Sequence, residues 1–198
     1  MLMELTRGLS FTLVTMLLFG GGYHVALWGL GRVTFPSQVE GSLVRRADGT
    51  VIGSRLLAQA FTRPEYVHPR PSGGDYAAAS TGGTNYGPSN ADHLKAVGAR
   101  LEAITALEKV QANQVPSEMV TASGGGLDPH VPPAAATLQA ARVASTRGVP
   151  LERVRALIRA HTEPPTFGFL GRSRVNVLEL NLALDAAFGS PAAAAARR

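Results

Sequence analysis

Residues 9–31 read LSFTLVTMLLFGGGYHVALWGLG, 23 consecutive positions without a charge. At about 1.5 Å per residue a helix of that length covers about 34 Å, enough for a hydrocarbon core of roughly 30 Å with some tilt. Arg7 and Arg32 flank the stretch, and Tyr23 and Trp28 stand where interfacial aromatics belong. Gly20, Gly21 and Gly22 would weaken a helix in water. In lipid the backbone has no other partner, and small residues admit a neighbouring helix. A cleaved signal peptide is the competing reading. Its apolar region runs only about 7–15 residues and ends at an A-x-A-like site, which Gly29-Leu30-Gly31 imitates poorly. The pattern predicts a retained anchor. Glu4 and Arg7 on one side, with Arg32, Arg45 and Arg46 on the other, leave its orientation undecided by charge. His24, near the end of the span, reads as a neutral interfacial residue rather than a proton relay.

Beyond residue 31 the pattern changes. Residues 42–46 and 50–54 flank Asp48-Gly49, a two-residue hairpin signal. Residues 56–61 (LLAQAF) fit a short helix or a buried strand. Residues 63–90 are dense in Pro and Gly and predict a long loop region of the functional or poorly ordered kind. Leu94, Val97, Leu101, Ile104 and Leu107 then recur at three- and four-residue steps, predicting a helix over 90–110 capped by Ser89 or Asn90. A second helix is predicted over 133–147, with Pro133 in its first turn and Gly148 after its last. A third covers 150–161 and stops before Pro164-Pro165. Residues 175–188 alternate Leu178, Leu180, Leu182 and Leu184 like a strand, but their composition favours a helix capped near Asn176. Residues 190–198 (SPAAAAARR) read as a frayed tail. Short β elements first and helices later predict an α+β domain. The expected organisation is an N-terminal segment 1–31 with one transmembrane helix, an α+β domain over 32–189, and a tail over 190–198.

Composition narrows the function classes. The 198 residues carry 19 Lys and Arg against 14 Asp and Glu, a net charge of +5. Zero Cys excludes a disulfide scaffold, a thiolate metal site and a Cys nucleophile. The basic residues are almost all scattered arginines with no run longer than two, which argues against a nucleic-acid groove.

Three loops carry residues with chemical potential. Thr81–Asn85 (TGGTN) and Gly124-Gly125-Gly126 suggest phosphate cradles, yet neither fits G-x-x-x-x-G-K-[ST] nor G-x-G-x-x-G. The triple glycine stays a weak nucleotide candidate. Ser123, Asp128 and His130 supply the residue types of a hydrolase triad, and this membrane-tethered hydrolase is the alternative function. A nucleophile elbow is missing, because Thr121 stands where G-x-S-x-G needs its first glycine. Asp128 and His130 could also ligate a metal, but no third ligand lies at useful spacing. The residue-level expectation is no catalytic centre and no metal site. The loops around Gly82, Gly83, Asn85, Asn90, Ser123 and Asp128, with Gly20, Gly21 and Gly22 in the span, are instead assigned to partner-facing surfaces.

Read in order, five strings resemble the C subunit of the Kdp-type potassium-transporting P-type ATPase. They are residues 42–61 (SLVRRADGTVIGSRLLAQAF), 66–72 (YVHPRPS), 82–90 (GGTNYGPSN), 115–149 and 171–185 (GRSRVNVLELNLALD). With the apolar segment ahead of them the resemblance covers most of residues 5–185. Tyr86 stands where that family often has Leu, and Gly125 and Pro132 where it often has Ser. The resemblance implies an inner-membrane subunit with a cytoplasmic N-terminus and a periplasmic domain. Its implied partners are a channel-like potassium-binding subunit, an ATP-hydrolysing P-type subunit and a small single-span subunit. It further implies a non-catalytic role in assembly and transport, with a catalytic-chaperone effect on ATP affinity. No cofactor would be held stably, and ATP would act only through the complex.

Overall fold

The computed structural model describes residues 2–46 and 48–190, in one unit that ends at Ile52 and another that begins at Gly53. In the first unit α1 (Leu2–Thr15) runs through a wide-turn segment, Met16–Gly22, into α2 (Tyr23–Thr34). Together they make a 33-residue helix, Leu2–Thr34, whose most apolar 18-residue window has a mean hydropathy of 1.5 and is not buried at all. By length and composition it can cross a membrane, and it overruns the uncharged stretch at both ends. The wide turns coincide with the three glycines. His24 Nδ1 lies 3.0 Å from the Phe19 carbonyl oxygen, a side-chain partner for the backbone where the helix is widened. Arg32 stacks over Trp28 with its guanidinium carbon 5.0 Å from the ring centre.

A single turn, α3 (Pro36–Val39), starts on a proline whose missing N–H is no loss there. Strands β1 (Leu43–Arg45) and β2 (Val51–Ser54) form the hairpin. Its loop is a residue longer than the two-residue turn expected. Arg46 N–H bonds Thr50 O, Gly49 N–H bonds Arg46 O, and Gly49 takes φ +84°, as a glycine bulge requires.

In the second unit residues 56–61 form neither helix nor strand, so both predicted alternatives fail. Ser54 Oγ accepts from Leu56 N–H in a turn, and Ala58 N–H is taken by Leu127 O, which leaves no local ladder to extend. The stretch to Asn90 holds no helix or strand, as its composition predicts. Helix α4 (Ala91–Glu108) follows, with Asn90 Oδ1 accepting from the N–H groups of Asp92 and His93. A 3₁₀ turn (Ala112–Gln114) and α5 (Ser117–Val120) lead on to β3 (His130–Val131). Helix α6 spans Pro133–Arg147 and stops at Gly148 with φ +65°, the predicted bounds. Pro132 caps it without a side-chain bond, and its carbonyl accepts from Ala136. Helix α7 spans Leu151–Ala160, β4 Thr162–Glu163, β5 Arg174–Asn176 and α8 Val177–Phe188.

Helix was the right choice for the alternating leucines, and Asn176 caps it by accepting from Glu179 N–H. Val175, however, belongs to β5. That strand lies between β3 and β4, antiparallel to both, pairing Val175 with Val131 and with Thr162. The main sheet is therefore assembled late in the chain, against the expectation of β first and helices later. Strands of two or three residues carry no readable period.

The core explains the helix sequences. Helix α6 turns Ala135, Ala136, Ala140, Val143 and Ala144 inward, and α7 adds Val154 and Ile158. Small side chains on α6 let its neighbour approach closely, while Leu180 and Leu184 of α8 fill the volume beside them. Each large buried side chain contributes roughly 1.5–3 kcal/mol. Of the predicted tail, Ser190 alone is described, and residues 191–198 lie outside the described residues.

Candidate functional site

The two glycine loops, read separately in sequence, are one construction. Gly82 N–H bonds Gly125 O at 3.2 Å, Ser123 N–H bonds Pro71 O, and Gly126 N–H bonds Ser123 O. A Cβ on Gly83 would sit 2.7 Å from Gly124 O, and one on Gly126 would sit 2.8 Å from Gly82 O. Gly126 is buried with φ +72°. Glycine is needed at these two positions because backbone meets backbone, and at Gly126 also because φ is positive. Gly82, Gly124 and Gly125 are exposed, and a Cβ at any of them would meet nothing. The N–H groups of Gly82 and Gly126, which a phosphate cradle would use, are already donated within the fold. Asn85 is exposed with φ +54°, a conformation asparagine tolerates, and Asn90 is occupied as a helix cap.

The hydrolase residues form no hydrogen-bonded triad: His130 Nδ1 stands 3.6 Å from Asp128 Oδ1, but no hydrogen bond joins Ser123 to either. Ser123 is only 3% exposed and lies in the glycine construction. Asp128 and His130 instead line a cleft of about 240 Å³ with Arg70, Glu118, Arg172 and Arg174, and Ser123 is not in its wall. Asp128 Oδ1 accepts His130 N–H at 3.0 Å, and Oδ2 accepts from Arg70 at 3.1 Å. Burial pushes the Asp128 carboxyl up, but the bonds from His130 and Arg70 outweigh it and hold the group below its usual range. A carboxylate spent this way orders a turn; it orients no nucleophile. Among the described residues no three His, Asp or Glu side chains gather as a metal site.

The residues that organise the loops are ones the sequence reading missed. Asn181 of α8 accepts Val67 N–H at 2.8 Å and donates to Val67 O at 2.9 Å. Gln139 of α6 does the same for His68, at 2.8 and 3.1 Å. Two side-chain amides thus replace the strand partner that residues 67–68 lack. Beside them Arg142 bonds Glu108 at 2.8 Å, Tyr66 O at 2.9 Å, Gln139 at 2.8 Å and the Pro64 carbonyl. Arg147 bonds Glu65 O and Asp185, and Asp185 accepts the Tyr66 hydroxyl at 2.9 Å. Burial lowers the His68 ring below its usual value, with Arg142 adding to the effect, so it is neutral at pH 7. Burial also pushes the Glu108 carboxyl up against the pull of Arg142. A signal for this clasp was present: Gln139 and Asn181 are amides on helix faces otherwise built from Ala, Val and Leu.

Between α4 and residues 60–76 lies a larger cleft of about 380 Å³, walled by Phe61, Ile104, Leu107 and Met119 with His68 and Glu108 at its polar side. Neither cleft carries a nucleophile, base and oxyanion donor in mutual reach.

The profile of the family described as K+-transporting ATPase, c chain, matches residues 5–186. A protein of Beijerinckia indica named Potassium-transporting ATPase KdpC subunit is 49% identical over 174 residues, covering 87% of this chain and 88% of its own. One of the same name from Rhodospirillum rubrum is 48% identical over 190 residues, covering 95% and 98%. A third, from Polaromonas naphthalenivorans, is 49% identical over 176 residues, covering 87% and 89%. The match begins within the apolar helix and ends within α8, so it includes every element between them, and the chain belongs to the KdpC family of K+-transporting ATPase c chains.

Proposed function

We propose that this chain is a non-catalytic accessory subunit of a high-affinity, ATP-driven potassium uptake complex, needed for its assembly and transport. The observation that carries the reading is the near-full-length similarity to chains named as subunits of such an ATPase. The partners are a channel-like potassium-binding subunit, an ATP-hydrolysing P-type subunit and a small single-span subunit. The helix Leu2–Thr34 anchors the chain in the inner membrane, N-terminus in the cytoplasm, with the α+β domain on the periplasmic side. Any chaperone effect on ATP affinity then travels through conformation, because that domain and cytosolic nucleotide are on opposite sides. The spent N–H groups of Gly82 and Gly126 support a reading without stably bound nucleotide.

Co-purification in mild detergent, followed by mass spectrometry, tests the assembly. Recovery of the three partner subunits and restored potassium uptake in cells lacking the chain are expected. Isolation of the chain alone would overturn the reading. Topology is read with Ala79→Cys, an exposed site in a chain without cysteine. A membrane-impermeant thiol reagent should label it in intact spheroplasts, and labelling only after lysis would reverse the orientation.

A further inference from the structure

The connection between β4 and β5 carries the two most exposed large apolar side chains among the described residues of the second unit. Residues 164–171 read PPTFGFLG, eight positions without a charge. Phe167 is 84% exposed, Phe169 74% and Leu170 51%. These side chains project from a small hairpin. Thr166 and Leu170 exchange both backbone bonds at 2.9 Å, and Gly168 N–H bonds Pro165 O at 2.9 Å. Phe167 takes φ +55° and Gly168 φ +83°.

A left-handed phenylalanine is uncommon and costs on the order of 1 kcal/mol or more. Here it presents an aromatic ring to solvent, largely uncovered by the described residues of the second unit. Two phenylalanines and a leucine expose on the order of 400–500 Å², the size at which apolar patches on single chains mark interaction sites. Arg172, two residues after Leu170, is 92% exposed and ion-paired with Glu118 at 3.9 Å. Arg174 is already paired with Glu163 at 2.8 Å.

We infer that the Phe167–Leu170 hairpin is an anchor that inserts into an apolar recess, rimmed by carboxylate groups, on another protein subunit of the transport complex. The inference rests on the assembly reading above and names the element that makes it. Membership of a family of ATPase c chains supplies the need for a protein partner. The locked backbone favours a recess of fixed shape over lipid, because a bilayer rewards apolar area in any conformation. The patch is smaller than the roughly 800 Å² per partner of a stable interface, so it is an anchoring centre within a wider contact. The exposed Arg172 supplies the complementary charge for the rim.

The test places a photoreactive benzoylphenylalanine at Phe169 in the full chain, expressed with its partner subunits. Irradiation should give a covalent adduct with another subunit. Phe167→Ser/Phe169→Ser should reduce recovered complex about tenfold with helical content unchanged, and Phe167→Leu/Phe169→Leu should restore most of it. Arg172→Glu should reduce recovery further than Arg172→Gln. An intact complex whose adducts are with lipid alone, or absent, overturns the anchor and leaves the assembly reading standing. Undiminished recovery with the serine pair has the same meaning. If the unaltered chain brings down no partner, the assembly reading falls and the anchor with it.

Discussion

Gly83, Gly125 and Gly126 are alike in sequence and opposite in consequence. Backbone oxygens stand 2.7 and 2.8 Å from where a Cβ of Gly83 or Gly126 would lie, whereas Gly125 has nothing within 4 Å. Gly83→Ala and Gly126→Ala should each lower stability by about 1–3 kcal/mol, and Gly125→Ala by less than about 0.5 kcal/mol. Thermal unfolding of the full chain in detergent checks this; equal shifts at all three would show that the loops do not meet. Glu108 and Asp128 separate in the same way by their surroundings. The Glu108 carboxyl is raised in the fold, so it favours the proton there, and stability falls as pH rises from the ordinary carboxylate pKa of about 4.3 to the raised folded value. The Asp128 carboxyl is lowered, so its contribution is present above the ordinary range and is lost as pH falls through its folded value. Glu108→Gln should flatten the decline on the higher-pH side, and Asp128→Asn the loss on the acid side. The slope of stability against pH is the readout, because Glu108→Gln also strands the buried Arg142 charge and should cost about 3–5 kcal/mol outright. An unchanged slope for either variant would place its carboxyl at its ordinary value.

At the scale of elements, helices hold segments that form no element. Residues 66–72 have no strand partner, yet Asn181 and Gln139 supply both a donor and an acceptor to successive residues of it. An amide replaced by an apolar group leaves two buried backbone groups unpaired, at about 1–3 kcal/mol each. Asn181→Leu should therefore destabilise the domain by roughly 2–5 kcal/mol, and Gln139→Leu by a similar amount. Because the two clasp adjacent residues, the double variant should cost less than the sum of the singles. Urea unfolding of the set provides the cycle. Strict additivity would mean that Val67 and His68 are held independently. The elements themselves were legible to different degrees. Helix α6 has its predicted bounds because proline and glycine punctuate both ends, and α4 is found because its cap and period agree. Residues 56–61 gave no such agreement: six residues with one polar position, Gln59, are too short a run to distinguish helix from strand, and Leu127 holds Ala58 in neither.

For the whole molecule the long apolar helix sets a separate question. Gly20, Gly21 and Gly22 have no positive φ, and apart from the adjacent turns of their own helix no described residue stands closer than 3.6 Å to their added Cβ positions. Nothing in this chain's own packing demands them, although each costs roughly 1 kcal/mol relative to Ala in an aqueous helix. The partner-facing role proposed for these glycines would supply the compensation, through another helix in the membrane that small residues allow to approach closely. Gly20→Leu/Gly21→Leu/Gly22→Leu should still insert but bring down about fivefold less of the partner subunits, the equivalent of roughly 1 kcal/mol. Leu13→Ile and Leu17→Ile should change nothing. Full assembly and potassium uptake by the triple variant would reduce the span to a tether.

The sequence alone determined the features that repeat or punctuate within a few residues. The long uncharged run, the helices with their proline and glycine ends, the asparagine caps and the family strings all depend on neighbours along the chain. Hydrophobic period and capping chemistry are local, so they survive reading in one dimension. Tertiary structure alone decided that two glycine loops form one backbone contact, and that no hydrogen bond joins Ser123 to Asp128 or His130. It alone assembled the sheet from three strands of two or three residues, and set Gln139 and Asn181 against residues some 71 and 114 positions earlier. It also locked Phe167 into a left-handed conformation at the tip of an exposed hairpin. Each of these depends on which distant backbone groups remain unpaired after the helices have packed, and no window of sequence contains that information.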